Sequence, residues 1–109
     1  MKVQNMTSTS GNKVANQFII EANGRTAFQS YDSVIAEKRK KLVTEGIYDE
    51  TGKCIDTRTT AKTVVYLDST YWDYSVTTGK YRNQFLGETK KETERKIASG
   101  EYILTDLNS

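Results

Sequence analysis

The chain predicts an α+β domain: an antiparallel sheet of four to six strands, with a short aromatic helix and a C-terminal helix packed on it. Three observations lead there. Two strand-like regions are broken by hairpin signals, Asn23-Gly24 and Asp49-Glu50-Thr51-Gly52. The run Thr63-Val64-Val65-Tyr66-Leu67 is β-branched and almost uninterrupted, which predicts a central strand buried on both faces. After Leu67 the period lengthens, and residues suited to cap helices appear at the right spacing.

Residues 1–13, MKVQNMTSTSGNK, are polar and predict a flexible tail, leaving 14–109 as a single domain. NQFIIEA and RTAFQSY flank Asn23-Gly24, and a two-residue type I′ turn there sets Ile19 opposite Phe28 and Ile20 opposite Ala27. Those pairs lie on opposite faces, so the hairpin is apolar on both sides. Val34-Ile35-Ala36 predicts a third short strand running into Glu37 to Lys41. The segment from Lys40 to Lys62 looks like a hairpin insertion. Asp68 or Ser69 caps a turn carrying Tyr71, Trp72 and Tyr74, and Thr77 or Thr78 caps a helix through Phe85. Gly87 stops that helix. Thr89-Lys90-Lys91-Glu92 is a capping box opening a second helix, which runs to Ser99 and ends at Gly100. Tyr102 to Leu107 is the last strand.

Composition removes more functions than it suggests. A chain of 109 residues holds one domain, and 36% hydrophobic content makes a lean core. Histidine is absent, which removes His-based acid–base chemistry, Ser-His and Cys-His pairs, and the commonest transition-metal ligand. Cys54 is the one cysteine, so it makes no intrachain disulfide and no zinc cage. No apolar run is long enough to span a membrane, and residues 1–13 lack a signal-peptide core, so a cytoplasmic protein is expected. The net charge is +2, but Lys38, Arg39, Lys40 and Lys41 form one basic cluster, and residues 80–96 form another.

The block from Tyr71 to Thr93 interleaves aromatic rings with cations. Trp72, Tyr81 and Phe85 read as core anchors. Tyr71, Tyr74, Lys80, Arg82, Lys90, Lys91 and Arg95 read as an outward, partner-binding face, where bases could stack and phosphates be neutralised. Lys38, Arg39 and Lys40 read either as a phosphate-facing patch or as lysines protecting a sheet edge. The carboxylates Asp68 and Asp73 do not have the spacing of a metal nuclease, and Gly79-Lys80 lacks the upstream glycine of a phosphate loop. No catalytic, cofactor-binding or metal-binding residue is assigned.

FQSYDSVIA, VVYLDSTYWDYSVTTGKYRNQFLGETKKETERKIASGEY and the final DLN resemble small uncharacterised proteins of bacteriophages and prophages, over about half of the chain. That family offers no catalytic motif to transfer. In size and in lack of motif the chain is also similar to anti-CRISPR proteins, including inhibitors of the type II effector nuclease Cas9. The resemblance implies a phage-encoded, non-enzymatic protein acting in the host cytoplasm on a bacterial effector, Cas9 with its guide RNA being the specific case. The alternative is a phage accessory protein that binds nucleic acid through the basic-aromatic face. Exposed strand edges and the two-faced hairpin make a homodimer plausible.

Overall fold

A computed structural model describes residues 1–108. The elements are β1 (Lys2–Thr7), β2 (Lys13–Ala22), β3 (Arg25–Ser30), β4 (Ser33–Tyr48), β5 (Cys54–Asp68), α1 (Val76–Leu86), α2 (Lys90–Ser99) and β6 (Tyr102–Thr105). The strands form one six-stranded sheet in chain order. The architecture is therefore α+β and mostly antiparallel, with one correction: β6 pairs β5 in parallel. Two helices separate those strands, and a crossover of that length returns the chain in its original direction. Strand direction lies in the connection and leaves no mark in the residues Tyr102 to Leu107.

The predicted tail is in part a strand. β1 pairs β2, with Val3 opposite Ile20 and Asn5 opposite Phe18. Asn5 Nδ2 donates to the Val14 carbonyl at 3.1 Å, and Met6 is buried in the core. One buried methionine among polar neighbours gave too little pattern to see. The β2–β3 hairpin has the expected register, Ile19 opposite Phe28 and Ile20 opposite Ala27. Asn23 and Gly24 have φ of 51° and 75°, the two left-handed positions of a type I′ turn.

Every core cluster lies on the same face of the sheet. Met6, Phe28, Ile35 and Tyr81 form one cluster, with Ile19, Tyr71 and Phe85 packed against it. Ala36, Leu67 and Tyr102 form the other, with Trp72, Phe85, Leu86 and Ile97. Phe85 joins both, its ring centroid 5.9 Å from that of Phe28. Burying Phe28 completely contributes about 1.5–3 kcal/mol. A bulge at Phe28/Gln29 adds Ile35 to β4 and turns it into this core.

The opposite face of the sheet carries no helix. Phe18, Ile20, Ala27, Val64 and Tyr66 alternate with the core residues along their strands and are only half-buried. The run Thr63 to Leu67 is thus buried on one face, and its second apolar row faces outward.

β4 and β5 are far longer than expected. β3 pairs β4 only as far as Arg39, and β6 pairs β5 only from Val65 onward. Beyond those points β4 and β5 pair only with each other, to the turn at Asp49–Lys53. From Lys40 to Tyr48 this ribbon extends about 25–30 Å. It accounts for extents of 58 × 31 × 30 Å and a radius of gyration of 17.2 Å, where a compact chain of this length has about 13 Å.

Candidate functional site

The basic-aromatic block folds as a turn followed by α1. Asp68 accepts from the backbone N–H groups of Thr70 at 3.0 Å and Tyr71 at 2.8 Å, which starts the turn. It also accepts from the Leu107 N–H at 2.8 Å, so one buried carboxylate ties the turn to the C-terminal end. Ser75, rather than Thr77 or Thr78, caps α1 by accepting from the Thr78 N–H at 3.1 Å. Thr78 is buried, its hydroxyl 2.9 Å from that of Ser30. The side chain of a cap sits outside the helix, and only the register of α1 on the sheet decides which of three neighbouring hydroxyls does so.

Arg82, expected on the outward face, is buried completely. Its Nη1 donates to the Trp72 carbonyl at 2.7 Å and pairs with Asp73 Oδ1 at 3.1 Å. Its Nη2 donates to Asn83 Oδ1 at 3.1 Å, and the guanidinium lies 5.1 Å from the indole of Trp72. It is a staple between α1 and the preceding turn. Lys90 pairs with the other oxygen of Asp73 at 2.7 Å. Burial alone would raise the Asp73 carboxyl, but the hydrogen bonds from Lys90 and Arg82 outweigh it and hold it below its ordinary value. Lys80, Lys91, Arg95 and Tyr74 are exposed, while Tyr71 is half-buried with its ring 5.5 Å from Tyr74. A cleft of about 590 Å³ lies between Lys80, Lys90, Gly79 and Asp73.

Lys38, Arg39 and Lys40 do not form one patch, because strand alternation divides them. Lys38 points to the helices, donates to the Phe85 carbonyl at 2.8 Å and sits 4.5 Å from the Phe85 ring. Burial lowers its pKa, partly offset by Glu88. Arg39 points to the uncovered face, pairs with Glu37 at 2.9 Å and lies 4.2 Å from the Tyr66 ring. Lys40 is exposed on the helix side.

A cluster that the sequence did not reveal joins α2 to β6. Glu88 is nearly buried and pairs with Lys96 at 2.7 Å. It also accepts hydrogen bonds from Tyr102 Oη and from Thr93 Oγ1. Burial would raise the Glu88 carboxyl, but these donors together leave it below its ordinary value. The hydrogen bond to Glu88 raises Lys96, and burial together with Glu88 pushes Tyr102 up to about 12. Glu88 lies before the cap of α2, Lys96 within the helix and Tyr102 on the next strand, so no single segment shows the cluster.

The β4–β5 arm is the other candidate surface. Leu42 is 74% exposed, and three apolar residues crowd its tip: Ile47 at 41%, Tyr48 at 64% and Ile55 at 60%. Gly46 leaves room for the Tyr48 ring, since a Cβ there would come within 2.8 Å of Tyr48 Oη. Residues 42–62 hold four carboxylates and three cations, so the arm is close to neutral. Among the described residues, no cluster of Cys, Asp and Glu is arranged to hold a metal. Among the described residues, no helix is long and apolar enough to cross a membrane.

A family of unknown function (DUF8033) matches residues 1–101, and the chain belongs to that family. The comparisons with curated proteins and with solved structures gave no match.

Proposed function

We propose that this DUF8033 member is a non-enzymatic binding protein that docks on a protein partner through its β4–β5 arm. The observation behind this reading is the arm itself: a two-stranded ribbon beyond the sheet, tipped by exposed Ile47, Tyr48 and Ile55. Exposed apolar groups at the end of a near-neutral ribbon fit an apolar pocket on a protein. They do not suit phosphates, which attract cations. The body then serves as a rigid base, with α1 and α2 locked to the sheet by Phe85, Arg82 and the Glu88 cluster.

The specific form of the proposal is a phage-encoded inhibitor of host defence, acting in the bacterial cytoplasm on Cas9 loaded with guide RNA. The resemblance of the Tyr71 to Tyr102 block to small phage proteins supports it. Docking an arm on the effector would block a conformational step needed for cleavage. Size-exclusion chromatography of the chain with Cas9, with and without guide RNA, tests the pairing. Co-elution that is lost on Tyr48→Ser with Ile55→Ser supports it. Separate elution under both conditions rejects Cas9 as the partner.

A further inference from the structure

The uncovered face of the sheet is an unusual place to find its charges. Arg25 and Arg39 are cross-strand partners between β3 and β4, and Lys41 and Lys62 are partners between β4 and β5. Like charges placed directly opposite destabilise a sheet, and here two such pairs occupy neighbouring rows of one face. Glu37 relieves the first pair, at 3.6 Å from Arg25 and 2.9 Å from Arg39. Glu45, itself 3.7 Å from Arg58, lies 3.9 Å from Lys62. Along β3, β4 and β5 this face sets Arg25, Arg39, Lys41, Arg58 and Lys62 against Glu37, Glu45 and Asp56, so it stays net positive, with the excess toward the body.

The same face carries aromatic groups. Phe18 stands on β2, and Tyr66 stands on β5 beneath Arg39, roughly 15 Å away across three strand spacings. Ile20 and Ala27 lie between them. All four are half-buried although no element covers them. Glu37 and Glu45 offset the two like-charge pairs only in part, and a chain of phosphates and bases would use both the remaining cations and the half-buried rings.

We infer that this face binds a single strand of nucleic acid, with phosphates on Arg25, Arg39, Lys41 and Lys62 and bases against Phe18 and the Arg39–Tyr66 stack. Bases stack on aromatic rings and on guanidinium planes, and a flat sheet presents both to an unpaired strand. A duplex keeps its base faces stacked on one another and so offers none to Phe18 or to the Arg39–Tyr66 pair. A second copy of the chain fits worse, because an isologous face-to-face pair would set this positive region near its own equivalent. The inference is independent of the arm's partner.

Fluorescence anisotropy of the full chain with a labelled oligothymidylate of about 15 nucleotides tests it. Saturable binding is expected, weakening between about 50 and 200 mM salt with a log–log slope near −3, as four neutralised phosphates require. Lys41→Ala with Lys62→Ala should roughly halve that slope and lower affinity at least about tenfold. Its thermal midpoint should equal or exceed that of the parent, because a like-charge pair is gone. Phe18→Ala should weaken binding about 5- to 100-fold and leave the slope unchanged. Four results would each overturn the inference: no binding at low salt; equal binding of a duplex; loss of binding on Lys80→Ala with Lys91→Ala but not on the Lys41/Lys62 change; or a dimer that Tyr66→Lys splits.

Discussion

The Arg82 guanidinium donates to the Trp72 carbonyl at 2.7 Å while lying 5.1 Å from the Trp72 indole. One residue thus satisfies the backbone and stacks on the side chain of another, and the pair joins α1 to the turn before it. Arg82→Ala should cost about 2–4 kcal/mol, since it removes a buried, hydrogen-bonded charge and leaves the Trp72 carbonyl unpaired. Arg82→Lys should recover only a minority of that, lacking the fork that reaches Trp72, Asp73 and Asn83 together. Urea unfolding measures both. A loss below about 0.5 kcal/mol for the alanine variant would return Arg82 to the surface.

Tyr102, Glu88 and Lys96 make stability depend on alkaline pH. Tyr102 is pushed up to about 12, above its ordinary value near 10, and Lys96 is raised as well. A raised folded pKa gives stability that is complete below the unfolded value and is lost as pH climbs through the folded one. The thermal midpoint should therefore fall between about pH 10 and 12. Tyr102→Phe should cost about 1–2 kcal/mol at neutral pH and flatten that fall. An unchanged alkaline profile in the variant would mean that Tyr102 is not the titrating group.

Asp68 makes the fold sensitive to acid. Burial would raise its carboxyl, but donors from Leu107, Tyr71, Asn108 and Thr70 outweigh that and lower it. A lowered folded pKa gives stability that is present above the ordinary value of about 3.9 and lost as pH falls below it. Asp68→Ala leaves three backbone N–H groups without this acceptor and should cost about 2–3 kcal/mol at pH 7. It should also show a weaker acid transition when followed by circular dichroism from neutral pH downward.

Gln17 is buried completely, yet neither its amide oxygen nor its amide nitrogen has a protein partner among the described residues. It faces the core side of β2, opposite Ser30. Gln17→Met keeps the volume and removes the uncompensated polar group, so it should raise stability by about 1 kcal/mol. A destabilised variant in calorimetry would show that the amide is satisfied in solution.

The sequence was most readable where chemistry is local. Asn23-Gly24 specified a turn and through it a register, and Thr89 with Glu92 specified a capping box that forms in full. It was least readable where the answer depends on a distant element. Residues 2–7 carry too few apolar groups to signal a strand, and they become one because β2 offers an edge. Arg82 looked like a surface cation because helical spacing cannot show that Trp72 and Asp73 fold back over it. Lys38, Arg39 and Lys40 looked like one patch, but a strand through them sends Arg39 to the opposite face. The reach of the arm was hidden because β4 and β5 outrun both neighbours, which no single segment reveals.

The proposed function rests on the arm, and shortening it is structurally mild, because residues 42–61 pair only among themselves and their removal keeps Lys41 opposite Lys62. Replacing them with a two-residue type I′ turn should leave the body folded, with an unfolding midpoint close to that of the parent. Cas9 cleavage of a target DNA, titrated with the intact and the shortened chain, is the decisive measurement. The proposal predicts inhibition by the intact chain and none by the shortened one. Cleavage undiminished at large excess of the intact chain, or inhibition that survives loss of the arm, would contradict it.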